Sequence, residues 1–124
     1  MADNIEFGKK WEDLAVQFLQ KKGYKILKRN YRYKRAEIDI IAQKEGLLIF
    51  VEVKARKRID FGYPEDAVNE KKVELIQEAS ENFMEESAWG KEYEPGSGGQ
   101  IRFDIISITL EKGVLDILHI EDAF

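Results

Sequence analysis

The spacing of apolar residues changes several times along the chain, and each change marks an element. Residues 7–22 read as a helix. Trp11, Leu14, Ala15, Phe18 and Leu19 fall at i, i+3, i+4, i+7 and i+8 and form one apolar stripe, and Gly23 is a natural stop just beyond it. YKILKRNYRYKR, residues 24–35, is extended in character and interleaves tyrosines with basic groups. AEIDIIAQ, residues 36–43, alternates, so Ile38 and Ile40 are expected on one side of a strand and Glu37, Asp39 and Ile41 on the other. Glu45-Gly46 is a two-residue hairpin loop, with LLIFVEVKA, residues 47–55, as the return strand. RKRIDFGYP (56–64) reads as a loop punctuated by Gly62 and Pro64. A second helix is expected from about Glu65 to Ala88. Val68, Lys72, Ile76, Ala79 and Phe83 mark one face of it and Leu75 widens that face. WGKEYEPGSGG (89–99) is a polar, glycine-rich connection without the Lys-Ser/Thr of a phosphate-binding loop. IRFDIISITL (101–110) and VLDILHI (114–120) are two more strands joined around Lys112-Gly113.

The element order is therefore αβββαββ. Short links make the first three strands an antiparallel meander, and the long helix before the fourth strand is a crossover that sets strands three and four parallel. The expectation is an α/β fold: a mixed five-stranded sheet flanked by helices, with LIFVEV at its centre. Neither an internal repeat nor an interdomain linker interrupts the pattern, so residues 1–124 are expected to form a single domain.

Composition adds exclusions. The chain has no cysteine, which rules out disulfides, thiolate catalysis and cysteine zinc sites. No apolar run reaches the length of a membrane span, and MADNIEFGKK is not a signal peptide, so a cytoplasmic location without membrane contact is expected. The net charge of −4 argues against a nucleic-acid binder, but its distribution points elsewhere. Residues 21–58 hold thirteen basic and four acidic groups, whereas residues 59–124 hold five basic and sixteen acidic ones. Such polarity suits one face for a polyanion and another for solvent or a partner; mutual neutralisation inside the fold is the plainer alternative. Lys28, Arg29, Arg32, Lys34 and Arg35, interleaved with Tyr31 and Tyr33, are candidate nucleic-acid contacts, and Arg56, Lys57 and Arg58 extend them.

The candidate chemistry lies in the hairpin. With Glu45-Gly46 as the loop, Asp39 falls opposite Glu52, Glu37 opposite Lys54 and Ile41 opposite Phe50. Glu37 and Lys54 would form a cross-strand salt bridge. Two facing carboxylates repel, so one gains a proton or a cation sits between them, and Mg²⁺ needs only one or two carboxylates plus waters and a phosphate. An amine at Lys54 would orient a water and stabilise charge developing on that phosphate. Plain ion pairing at the surface stays open on the residues alone. His119, the sole histidine, is expected in a core or capping role, and the role of Asp104 is open.

Glu12 with Ala15, GY at 23–24, RN at 29–30, EIDIIA at 37–42, FVEVK at 50–54, FG at 61–62, Lys71, RFDII at 102–106 and a terminal HI..AF together resemble the YraN family of bacterial proteins. The resemblance implies a restriction-endonuclease-like fold, whose motif is an acidic residue followed, after a spacer, by (D/E)-x-K. Here that motif reads Asp39, then Glu52-Val53-Lys54. It also implies similarity to archaeal Holliday-junction resolvases, whose helix-one glutamate Glu12 matches. On that likeness Asp39 and Glu52 would hold Mg²⁺ or Mn²⁺, with the Val53 carbonyl as a further ligand. Lys54 would position the attacking water, Glu12 would assist through the metal's water, and Lys71 would touch the phosphate backbone. The implied activity is metal-dependent endonuclease hydrolysis of DNA, branched or otherwise structured; a non-catalytic nucleic-acid-binding or assembly protein is the alternative. Analogy with resolvases also makes a homodimer an expected assembly.

Overall fold

The structure, a computed structural model, describes residues 2–56, 69–86 and 100–124, with the backbone alone for 2–8. Helix α1 spans Ala2–Lys21, followed by β1 (Lys25–Tyr33), β2 (Ala36–Lys44), β3 (Leu47–Arg56), α2 (Glu70–Glu86), β4 (Gln100–Glu111) and β5 (Val114–Ile120). The order αβββαββ is the expected one. The strands lie in the order β1-β2-β3-β4-β5, antiparallel except for the parallel pair β3–β4 that α2 connects. The expected loops at 56–64 and 89–99 lie outside the described residues beyond Arg56, as does Val68. Among the described residues no helix is long and apolar enough to cross a membrane.

Local chemistry sets the boundaries. The end of α1 closes with two bonds, Tyr24 N–H to the Leu19 carbonyl and Gly23 N–H to the Gln20 carbonyl, each 3.0 Å. This doubly bonded cap needs a left-handed residue at Gly23, where φ is +92°. Helix α2 starts later than its periodicity predicts, because Asn69 caps it. The Asn69 Oδ1 accepts the Lys72 N–H at 2.9 Å, three residues on. Glu45 and Gly46 both have positive φ, 50° and 78°, as a tight two-residue hairpin requires.

The sheet buries an apolar layer on each side. Trp11, Ala15 and Leu19 of α1 pack on Ile40, Ala42, Ile49, Val51, Ile106 and Ile108. Ile76, Ala79 and Phe83 of α2 pack on Ile38, Ile41, Leu48, Phe50 and Phe103. Burial of these side chains, about 1.5–3 kcal/mol for each large one, is the main force holding both helices to the sheet.

One expectation is corrected here. Ile38 and Ile40 do not share a face: Ile38 packs on the α2 side and Ile40 on the α1 side. The strand β1 changes face at the same level, since Arg29 reaches Asp13 of α1 while Tyr31 packs beside Phe83 of α2. The pairs Arg29↔Ile40 and Tyr31↔Ile38 are present, and Asn30 and Asp39 between them leave the ladder. Asn30 has φ +52°, and this left-handed residue breaks the twofold alternation.

Candidate active site

The β2–β3 ladder runs from Lys44↔Leu47 to Ile40↔Val51, in the register that the hairpin reading requires. It then stops and the two strands fork. Asp39 does not pair with Glu52 across a regular ladder; instead its Oδ2 accepts the Val53 N–H at 2.8 Å. The expected Glu37–Lys54 salt bridge is also absent. The change of face at Asp39 leaves Glu37 beside β1, where it pairs with Arg32 at 3.4 Å. Lys54 pairs along its own strand with Glu52, at 3.5 Å.

Glu52 lies on the α2 side of β3 and is only 4% exposed. A carboxylate removed from water to that degree costs several kcal/mol unless it is paired. Two ammonium groups supply the pairing: Lys54, and Lys72 from the first turn of α2 at 3.0 Å. The Asn69 cap fixes that turn and so places Lys72. Burial is the main cause that lowers the Lys54 pKa, and the neighbouring Lys72 adds to it. Burial opposes protonation of Lys72 too, but contact with Lys54 and Glu52 outweighs it and raises its pKa.

Asp39 shows the strain of the arrangement. Burial first, and the Glu52 carboxylate second, push its pKa from 3.8 to about 7, against the opposing bond from Val53 N–H. Glu12, on α1, is also raised, by burial and then by Glu37, Asp13 and Glu52, with Arg29 opposing. Four elements thus bring Glu12, Asp39, Glu52, Lys54 and Lys72 to the fork. Among the described residues no three His, Cys, Asp or Glu side chains are grouped to hold a metal. The donor set fits a cation that accepts two carboxylates and fills its remaining positions with backbone or water oxygen. Mg²⁺ and Mn²⁺ have that chemistry, and burial first and the Glu52 carboxylate second raise the Asp39 pKa, a cost that a divalent cation would offset.

The basic residues separate into two groups. Arg29 pairs with Asp13 at 2.7 Å, Arg32 with Glu37, and Lys34 with Glu78 at 3.2 Å. Lys28, Arg35 and Lys71 are exposed, Arg56 is half-buried, and Lys57 and Arg58 lie outside the described residues. Sequence reasoning named Lys71 and missed Lys72. The signal was present: Lys72 occupies a position on the apolar stripe of α2, where a lysine needs a buried acid.

Asp104, whose role the sequence left open, is a structural hub. It is fully buried and accepts Arg102 Nε and Nη2 at 2.8 Å each, His119 Nε2 at 2.7 Å and the Asp122 N–H at 3.0 Å. The other ring nitrogen of His119 meets Lys22 Nζ at 2.8 Å. These partners place the ring proton on Nε2 and leave Nδ1 as acceptor. The network ties β4 and β5 to the end of α1 and takes no part in the fork.

The fold and the fork define a class: an α/β protein with an acidic pair and a lysine where two central strands separate. Within that class the chain belongs to the family described as "Uncharacterised protein family UPF0102", whose model matches residues 11–108. This is the YraN family that the residues resemble. The chain is 47% identical over 124 residues to the UPF0102 protein of Flavobacterium psychrophilum, covering 100% of this chain and 98% of that one. It is 44% identical over 124 residues to the UPF0102 protein of Flavobacterium johnsoniae, with the same coverage. The UPF0102 protein of Chloroherpeton thalassium is 40% identical over 132 residues, covering 100% of this chain and 97% of that one.

Proposed function

We propose that this protein is a Mg²⁺-dependent endonuclease that hydrolyses phosphodiester bonds in DNA, with branched or otherwise structured DNA as its substrate class. One observation carries the reading: at the strand fork Asp39 accepts the N–H of Val53, the residue next to Glu52, and the buried Glu52 is paired with two lysines. Side chains that serve only solubility or folding have no need of such an arrangement. Asp39 and Glu52 would hold the cation, which when bound would supply charge neutralisation of the phosphate and activation of a water. Lys54 orients that water and stabilises the charge that develops on the phosphate. Lys72 holds Glu52 in place and adds a second positive charge at the phosphate position. Glu12 reaches the fork from α1 as an additional carboxylate.

The test uses linear, nicked, flapped and four-way DNA with Mg²⁺ or Mn²⁺. Cleavage that disappears in Asp39→Ala and Glu52→Ala, with DNA binding retained, is the expected result. A second reading, a nucleic-acid-binding or assembly protein that retains the fold, draws on the fact that Glu52 is already balanced by two ammonium groups. Tight, salt-sensitive binding with no cleavage of any substrate would select that reading instead.

A further inference from the structure

Asn30 combines two features that are seldom found on one residue. Its backbone is left-handed, at φ +52°, and sits where β1 and β2 change face. Its side chain lies between two carboxylates, Glu12 of α1 and Glu37 of β2. An amide oxygen facing them would be repelled. With the amide nitrogen turned toward them, Asn30 donates to Glu12 Oε1 at 2.8 Å and to Glu37 Oε1 at 3.1 Å. A primary amide has two N–H donors, one for each acid. The preceding residue acts on the same helical turn, since Arg29 pairs with Asp13 at 2.7 Å. The dipeptide Arg29-Asn30 of β1 thus grips the dipeptide Glu12-Asp13 of α1.

We propose that Asn30 is a positioning residue of the fork: its amide holds Glu12 and Glu37 as a pair, and its left-handed backbone is where β1 and β2 change face beside Asp39. Glu12 arrives on a helix and Asp39 on a strand, and no covalent link fixes one against the other. The Asn30 amide is the bridge between those elements. Asparagine suits the position for two reasons: it tolerates positive φ better than other polar residues, and it offers a donor where another carboxylate would repel. Glu37 acquires a role through the same contact, as the second anchor of the amide.

The catalytic consequence rests on the nuclease reading of the fork; the geometry does not. The test therefore has two arms. In the first, the side-chain amide resonances of Asn30 are followed by nuclear magnetic resonance in Glu12→Ala, in Glu37→Ala and in Glu81→Ala as a remote control. Both site variants are expected to move the Asn30 signals and the control is not. Unmoved signals in both would overturn the proposal, whatever the protein cleaves. In the second arm, Asn30→Gly keeps the positive φ and removes the amide, whereas Asn30→Asp places a third carboxylate between the other two. Asn30→Gly is expected to lower single-turnover cleavage about tenfold to a hundredfold, with little change in DNA affinity. Asn30→Asp is expected to lower it at least as much. In a Glu12→Ala background, Asn30→Gly should cost little more, because the carboxylate that the amide positions is already gone. An undiminished rate in Asn30→Gly overturns the positioning role. If the wild-type chain cleaves nothing, the nuclease reading fails, and the resonance arm still decides whether Asn30 holds the pair.

Discussion

Asp39 is costly for the folded chain, and the sign of that cost is measurable. Its pKa is raised in the folded state, to about 7 from 3.8. Between those values the folded state keeps a proton that the unfolded state has released. Stability contributed by this group therefore falls as pH rises through that window, and the loss is complete above about pH 7. Asp39→Asn removes the cost and keeps an oxygen to accept the Val53 N–H. The variant should be more stable than wild type by roughly 1–3 kcal/mol at pH 8 and nearly equal to it at pH 4. Urea unfolding with a chelator at the two pH values checks this, and an equal change at both would sink it. Mg²⁺ should raise the wild-type unfolding midpoint and leave that of Asp39→Asn unmoved. Lys72 and Lys71 give a second contrast between adjacent residues. Lys72→Ala should lower cleavage about a hundredfold, because it removes a charge seated on Glu52. Lys71→Ala, at an exposed position, should stay within about twofold of wild type. Equal effects from the two would show that α2 serves the site only as a basic surface.

At the scale of elements, caps and hubs matter more than periodicity. Gly23→Ala should cost about 1–2 kcal/mol, since φ +92° is strained for any residue with a Cβ. That Cβ would meet Lys44 Cε at 3.6 Å, an ordinary contact, so strain and not crowding sets the figure. Asp104→Ala should be more damaging, about 3–5 kcal/mol, because it leaves the Arg102 guanidinium without its buried acid. Burial alone would raise the Asp104 pKa, but bonds from His119, Arg102 and the Asp122 N–H outweigh it and lower the pKa. Stability from this group is thus present above the ordinary carboxylate value and lost as pH falls through the lowered one, the opposite sign to Asp39. The contrast between these two acids also shows what the sequence could convey. The hairpin register was legible, because a two-residue turn at Glu45-Gly46 dictates every pair up to Ile40↔Val51. The break at Asp39 was not, because it lies beside the left-handed backbone of Asn30, a residue on another strand. The start of α2 was misplaced because apolar periodicity continues past Asn69, and only the hydrogen bond to Lys72 marks the cap. Asp104 and His119 meet through the β4–β5 pairing, and neither residue announces the other in sequence.

At the scale of the molecule, the question is how a chain of net charge −4 would hold a polyanion. The basic block at 21–58 suggested a broad phosphate-binding surface, but the fold occupies part of that charge. Among the described residues, Arg29, Arg32 and Lys34 are engaged with Asp13, Glu37 and Glu78. Each phosphate neutralised on a duplex contributes a slope of about −0.9 in log affinity against log salt. With those three held by their carboxylates, the slope should stay shallower than the roughly −8 that nine phosphate contacts would give. Binding measured across a salt series without divalent cation tests this. A steeper slope would mean that the three internal pairs open when DNA binds, exchanging a carboxylate for a phosphate. In that case Asp13→Asn and Glu78→Gln, which release Arg29 and Lys34 in advance, should tighten binding; if the pairs stay closed, both substitutions should add affinity at low salt alone. Arg29 makes the distinction most sharply. Its guanidinium bonds Asp13 beside Glu12, so recruiting it to DNA would loosen α1 at the fork, and a protein that uses Glu12 has reason to keep that pair closed.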